Sequence, residues 1–328
     1  MSLQIIRAGF LTTVQDLGRA GFRQFGVAVG GALDSHALRV ANLLVGNDES
    51  AAALEITFGG LRAQVSDDRI AAWCGGNFEA RVESNAIPAG HVFILRRGQK
   101  FTIDRPRTGC RAWLTISGGI DLPLVLDSRS TDLRANFGGL DGRALRDGDE
   151  LKLGRNSERA EILIERLRSE RSAHWKPPHD WSSPARGEPL LRFVRGADWI
   201  RFDDAMIQRF TNEPFIVSPD SDRMGVRFDA PELKRQNAVD LISEAVAPGT
   251  VQVPPSGKPI LLLGDCQTIG GYPKIAHVIT VDLPIAAQLR AGDALHFREV
   301  SLADAHRLWL ERECHLAQFR QGLDSHFA

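Results

Sequence analysis

The sequence predicts a mainly β protein with few helices, built as two β-barrel-like domains from an internal duplication. Three observations carry this. Short runs with strand periodicity recur along the chain, each near Gly, Pro or Asp. Only two segments show a clear helical stripe. Three stretches ahead of a Pro-rich segment match three stretches behind it, in the same order.

The elements follow in chain order. "LQIIRAG" opens the chain as a strand. "DSHALRVANLLVGN" places Ala37, Leu38, Ala41, Leu44 and Val45 on one helix face, with Asp34 as the N-cap and Gly46 as the stop. "LEITF" alternates Leu54, Ile56 and Phe58 with Glu55 and Thr57, the period of a half-buried strand. "HVFIL", "WLTI", "VRF", "VQV", "ILLL" and "VITVDL" supply further strands. A second helix starts at Ser301, with Asp304 as its capping-box acid and a stripe of Leu302, Ala305, Trp309, Leu316 and Phe319. Both stripes read as core.

"ERSAHWKPPHDWSSPARGEP" carries four prolines and reads as a linker over 170–189, separating a domain over 1–169 from a domain over 190–328. Across it, "LRDGDELKL" (145–153) matches "LRAGDALHF" (289–297), "GHVFILRRGQKFTI" (90–103) resembles "GTVQVPPSGKPILL" (249–262), and "LQIIRAG" resembles "LLRFVRG". His174 and His179 lie in the linker without a third ligand, so no metal site is expected.

Composition narrows the function classes. Apolar residues are 43% and charged residues 25%, ordinary for a globular chain, and the net charge of −1 provides no field for nucleic acid or an acidic membrane. No apolar run reaches the length of a membrane span, and the N-terminus lacks a signal-peptide block, so a cytoplasmic location is expected. Cys74, Cys110, Cys266 and Cys314 are far apart and read as buried reduced thiols. The phosphate-loop, dinucleotide-binding, zincin and nucleophile-elbow motifs are absent, as is the Met-Lys-Met sequence of biotin carriers. No cofactor is therefore held by a recognisable motif.

Four polar clusters remain. In "TTVQDLGRAGFRQFGV", a pair between Asp16 and Arg19 locks a turn, or Gln15 and Arg19 face a carboxylate or amide. "DSRSTDLRANFGGLDGRALRDGD" alternates Arg129, Arg134 and Arg143 with Asp132 and Asp141, a self-neutralising loop. "SPDSDRMGVRF" contributes Arg223. "GDCQTIGGYP" places Gln267, Thr268, Gly270, Gly271 and Tyr272 together, with Lys274 next and Gln252 in a nearby turn. Uncharged donors and acceptors beside flexible glycines suit an amide, lactam or ureido ring, although an ordered β-turn explains the same residues. Separately, a basic hairpin, "RRGQKFTIDRPRTGCR", carries Arg96, Arg97, Lys100, Arg105, Arg107 and Arg111 against Asp104; it reads as a solvated face first and a partner surface second.

Together "TTVQDLGRAGFRQFGV", "GALDSHALRVANLLVGN", "LEITFGG", "SRSTD", "SDRMG", "VQVPPSGKPILLLGD" and "QTIGGYPKI" resemble the KipA-like family across nearly the whole chain. The family is also called allophanate hydrolase subunit 2 or the C subunit of bacterial 5-oxoprolinase, and a homologous domain forms part of urea carboxylase. Ile269 and Cys266 depart from its usual pattern. The resemblance implies two cyclophilin-like barrels and a KipI-like partner, with the site near where the two meet. One implied activity is an ATP-dependent complex, completed by a LamB/YcsF-like subunit, that opens 5-oxo-L-proline to L-glutamate. The chain is then inactive alone. The alternatives are carboxyl transfer from a partner's carboxybiotin to urea or a similar amide, and a non-catalytic regulatory role. The expected substrate-binding residues are Gln267, Thr268, Gly270, Gly271, Tyr272, Lys274, Arg223 and Gln252, with Gln15 and Arg19 secondary and the catalytic residues unassigned.

Overall fold

A computed structural model describes residues 1–168, 176–178, 181, 188–233 and 241–327. The chain forms two compact units. The first contains Met1–Arg19, Gly30–Pro184 and Leu316–Ala328, and the second Ala20–Val29 and Ala185–His315. Most of the expected linker, with His174 and His179, lies outside the described residues.

The first unit is a half-barrel sheet of nine strands: β1 (Ser2–Ala8), β2 (Leu11–Gln15), β3 (Ala53–Thr57), β4 (Leu61–Val65), β5 (Arg69–Val82), β6 (Asn85–Ala86), β7 (Phe93–Leu95), β8 (Lys100–Ile116) and β9 (Glu150–Lys152). The order is β2-β3-β8-β4-β1-β9, and β5 pairs with β6, β7 and β8. Both faces are covered. Leu3, Ile5, Leu54, Ile56, Phe93, Phe101 and Leu114 fill one side. On the other, Ala53, Ile70, Ala72 and Trp113 pack against helix α1 (Ser35–Leu44), with Leu163 and Ile164 from helix α2 (Glu158–Arg166). That second layer changes the reading of "LEITF". All five residues of β3 are buried, and Ala53 of its other face joins the cluster that contains α1. Glu55 is satisfied there by the Leu33 N–H at 3.1 Å and by Arg111 at 3.8 Å.

The cap of α1 is as expected, with Asp34 accepting the Ala37 N–H at 2.8 Å. The basic hairpin is instead a turn followed by the 17-residue strand β8. Its register against β5 slips repeatedly between Gly75 and Ala80, opposite a stretch containing Pro106, which has no ladder donor to offer.

The second unit closes into a seven-stranded barrel. Its strands are β10 (Leu190–Arg195), β11 (Phe215–Val217), β12 (Gly225–Ala230), β14 (Thr250–Gln252), β15 (Ile260–Leu262), β17 (Lys274–Val278) and β18 (Ala294–Glu299), in the order β10-β17-β14-β15-β12-β11-β18. Outside it, β13 (Glu244–Ala245) pairs with β16 (Ile269–Gly270). Phe193, Phe215, Phe228 and Phe297 line the interior, and helix α3 (Asp204–Asn212) adds Phe210, stacked on Phe297 at 4.6 Å. Each such ring pair contributes about 0.5–1.5 kcal/mol beyond its buried area. "VITVDL" is not one strand. β17 ends at Val278, and Thr280–Asp282 turns into the short helix α4 (Leu283–Ala286), because Pro284 favours a helix start and the buried Asp282 takes Arg192 as its partner at 2.6 Å.

The duplication is visible at the level of single hydrogen bonds. Gly148 and Gly292 have φ of 90° and 87°. Asp149 accepts the Arg146 N–H at 2.7 Å, as Asp293 accepts that of Arg290 at 2.8 Å. Gly148 donates to Ile5 and Gly292 to Val217. The counterpart of β1 at this turn is therefore β11, not the "LLRFVRG" strand. β10 runs parallel to β18, whereas β1 runs antiparallel to β9.

Helix α5 (Leu302–Phe327) is longer than its stripe suggested, and only part of that stripe is core. Leu316 and Leu323 are buried in the first unit, but Leu302 is 60% exposed and Trp309 45%. Among the described residues no helix is long and apolar enough to cross a membrane.

Candidate functional site

The predicted residues of the second unit gather around the segment that follows β15. After Leu262 the chain turns, with Leu263 donating to Met224 and Asp265 to Arg223. It then forms β16, and Pro273 leads into β17. Gly270 leaves room for the Gln252 amide: a Cβ there would lie 2.6 Å from its Nε2 and would push that side chain aside. A Cβ on Gly271 would press on the Leu241 carbonyl at 3.1 Å.

Two clefts flank this segment. The smaller, about 340 Å³, is lined by Gln252, Gln267 and Tyr272 together with Arg227 and Ser256. Gln252 is buried, and its Nε2 donates to the Tyr272 carbonyl at 3.3 Å while its Oε1 faces Gln267 Nε2 at 3.5 Å. That second distance is at the limit of a hydrogen bond, so the exposed Gln267 amide is free to turn toward a ligand. Arg227 is exposed, and among the described residues its guanidinium has no carboxylate partner. The cleft thus presents two amides, two hydroxyls and an available cation.

The larger cleft, about 790 Å³, takes Thr268 and Lys274, along with Arg23, Arg195, Thr250 and His277. Lys274 is buried between Glu244 at 2.8 Å and Asp198 at 3.5 Å. Burial pulls the Asp198 carboxyl up, but the Lys274 N–H, Arg201 and the Lys274 ammonium outweigh it and hold it below the usual carboxylate range. Arg195 pairs with Glu299 at 2.7 Å, while Arg23 has no carboxylate partner among the described residues. Burial pushes His277 below its ordinary 6.5, and its Nδ1 lies 3.4 Å from Thr250 Oγ1.

The His277 shift has a testable sign. The unfolded chain binds the proton first as pH falls, so this contribution to stability is intact above about pH 6.5 and is lost as pH drops through the folded value. Melting temperature measured between about pH 8 and pH 5 is expected to decline less steeply in His277→Gln than in the parent. Parallel curves would show that His277 does not contribute.

Three predicted residues stand elsewhere. Arg223 lines neither cleft. It is buried in a two-point pair with Asp265, at 2.8 and 3.0 Å. Gln15 and Arg19 are buried in the first unit. Gln15 donates to Thr13 and to the Thr131 carbonyl. Arg19 donates to the carbonyls of Val125 and Ser130 and lies 4.5 Å over the Phe137 ring. Asp16 does not pair with Arg19 in the hydrogen bonds of this turn; it takes the hydroxyls of Ser128 and Ser130 and the Arg129 N–H. The first two polar clusters are therefore a single interlock. Of the four thiols, Cys74, Cys110 and Cys266 are buried and Cys314 is exposed. Burial pushes Cys266 up to about 11.

Sequence reading missed Arg227, Ser256, Arg23 and His277. Arg23 and Arg227 sit inside quoted motifs; for Arg23 the absence of any acid nearby in the sequence was the available signal, whereas Arg227 has Asp229 two residues on. His277 is one polar residue within a strand and gives no local signal.

The family described as carboxyltransferase domain, subdomain A and B, matches residues 25–299. The chain is 44% identical to the 5-oxoprolinase C subunit of Escherichia coli K12 over 92% of this chain and 93% of that one. It is 36% identical to the 5-oxoprolinase C subunit of Haemophilus influenzae, over 95% and 96%. The crystal structure of Kluyveromyces lactis urea carboxylase superposes with a TM-score of 0.86 at 27% identity, covering 98% of this chain and 29% of that one.

Proposed function

The chain belongs to the carboxyltransferase-domain family, and from that premise we propose that it is the C subunit of an ATP-dependent 5-oxoprolinase complex that opens 5-oxo-L-proline to L-glutamate. The observation that carries the proposal is its near end-to-end likeness to two bacterial 5-oxoprolinase C subunits. The smaller cleft agrees chemically. A lactam needs one acceptor and one donor, which Gln252 and Gln267 supply, and the substrate carboxylate needs a cation, which Arg227 supplies. Tyr272 lines the same cleft, Thr268 and Lys274 face the larger one, and Gly270 and Gly271 belong to the segment between the two without lining either.

The partners are a KipI-like and a LamB/YcsF-like subunit, and ATP is consumed by the assembled complex to activate the lactam oxygen before water opens the ring. Carboxyl transfer from carboxybiotin to a urea-like nitrogen is the second reading, supported by the likeness to urea carboxylase. A cation at Arg227 suits either reading, since carboxybiotin also carries a carboxylate; the higher identity to the two 5-oxoprolinase C subunits favours the first.

Mixing the purified chain with both partners, ATP and 5-oxoproline is expected to yield glutamate, and the chain alone is expected to yield none. Glutamate formation by the chain alone would remove the partner requirement. An inactive mixture that carboxylates urea from carboxybiotin would replace the first reading with the second.

A further inference from the structure

The first unit carries a surface that the proposed chemistry leaves unused. Phe10, just after β1, is 75% exposed, and Phe58, just after β3, is 38% exposed. Their rings meet edge to face with centroids 5.5 Å apart. The backbone is built to hold them out. Phe58 has φ of 56°, a left-handed conformation that bulky side chains rarely adopt. It is fixed there by its N–H to the Cys110 carbonyl at 2.8 Å, and Phe10 is tied across by its N–H to the Gly59 carbonyl at 3.2 Å. Between them Gly9, Gly59 and Gly60 pack so closely that a Cβ on Gly9 would collide with the Gly59 carbonyl, and one on Gly59 with that of Asp104. Strained backbone locked by its surroundings concentrates at functional surfaces. The "LEITFGG" motif therefore builds a fixed aromatic projection.

Arginines border it. Arg7 on β1 and Arg62 on β4 are cross-strand partners, and both are exposed. Like charges set opposite one another disfavour the sheet. Arg105 is exposed as well, and its backbone nitrogen packs against Gly59. Among the described residues none of the three has a carboxylate partner, although Arg107 nearby is paired with Glu79.

We propose that this face docks a different protein, one offering an apolar pocket for Phe10 and Phe58 and an acidic rim for Arg7, Arg62 and Arg105. A second copy of this chain does not fit, because a two-fold contact on this face sets the same arginines against each other. Nucleic acid fits poorly, since the edge-to-face rings leave no open stacking platform and the net charge is −1. Identifying the docked protein as a member of the complex rests on the proposed function; the surface itself does not.

The test is calorimetric titration of the chain with the KipI-like and the LamB/YcsF-like subunits at low and high salt. Phe10→Ser and Arg62→Glu are each expected to weaken binding of one subunit by roughly tenfold or more, with the arginine effect shrinking at high salt. Leu124→Ser, an exposed apolar residue of the same unit, is the control and should not change it. Unchanged binding in both variants, with glutamate formation intact, overturns the surface and leaves the function standing. If the parent chain binds neither subunit, the function fails and the surface is judged by other measurements. Placing a benzophenone amino acid at position 10 in the native host should then give an adduct on an Asp- and Glu-rich peptide of another protein. An adduct on a second copy, RNA binding that Arg62→Glu abolishes, or no adduct at all overturns the proposal.

Discussion

Asp265→Ala is expected to cost about 3–5 kcal/mol of folding stability, the effect of stranding one partner of a buried ion pair. The side chains of Arg223 and Asp265 are 6% and 8% exposed. Their two-point pairing at 2.8 and 3.0 Å joins the approach to β12 with the turn after β15, where Asp265 also donates its N–H to the Arg223 carbonyl. Removing the carboxylate leaves a guanidinium held away from water. Replacing both residues together, Arg223→Met with Asp265→Leu, is expected to be far milder, because paired apolar side chains of similar volume avoid the desolvation cost. Urea unfolding of the three proteins measures both effects. A small stability loss in Asp265→Ala accompanied by a large loss of turnover would return Arg223 to the ligand-binding role its motif suggested.

That contrast shows what the sequence could and could not convey. Strands, caps and the Gly-Asp turns were legible because they depend on local rules: the Asp34 side chain accepts an N–H only three residues on, and Gly148 and Gly292 sit where the chain turns left-handed. Burial of charged residues was not legible. Asp16 and Arg19 are three apart and invite pairing, yet besides the Gly18 N–H that Asp16 accepts locally, each bonds to groups more than a hundred residues away, among Val125, Ser128, Arg129 and Ser130. Likewise β3 reads as half-buried because its sequence cannot report the cluster that Ala53 of its other face joins. In the candidate site, Gln252, Gln267 and Tyr272 line one cleft. Thr268 and Lys274 face the other cleft: Thr268 follows Gln267 with the alternation of an extended chain, but Tyr272 and Lys274 are separated by the break at Pro273, which no local period reports.

Gln267→Ala is expected to lower turnover of the assembled complex by roughly ten- to hundredfold, because a lactam bound without one of its hydrogen-bond partners loses about 1–3 kcal/mol and each 1.4 kcal/mol is tenfold in rate. Folding should be nearly unaffected. The side chain is exposed, and its contact with Gln252 Oε1 is a long 3.5 Å, so truncation stays within about 0.5 kcal/mol of the parent. Melting and turnover measured on the same preparation separate the two possible roles of this turn. A fall in melting temperature with turnover per folded molecule unchanged would make Gln267 a turn residue and remove the smaller cleft from the proposed chemistry. Arg227→Ala adds the substrate dimension. If its guanidinium holds the carboxylate of 5-oxoproline, the variant should raise KM about tenfold or more, as expected for loss of a charge-assisted hydrogen bond, with a smaller change in kcat. An unchanged KM for 5-oxoproline would place the carboxylate elsewhere. The larger cleft, where Arg23 also lacks a carboxylate partner among the described residues, would then be the next position to test.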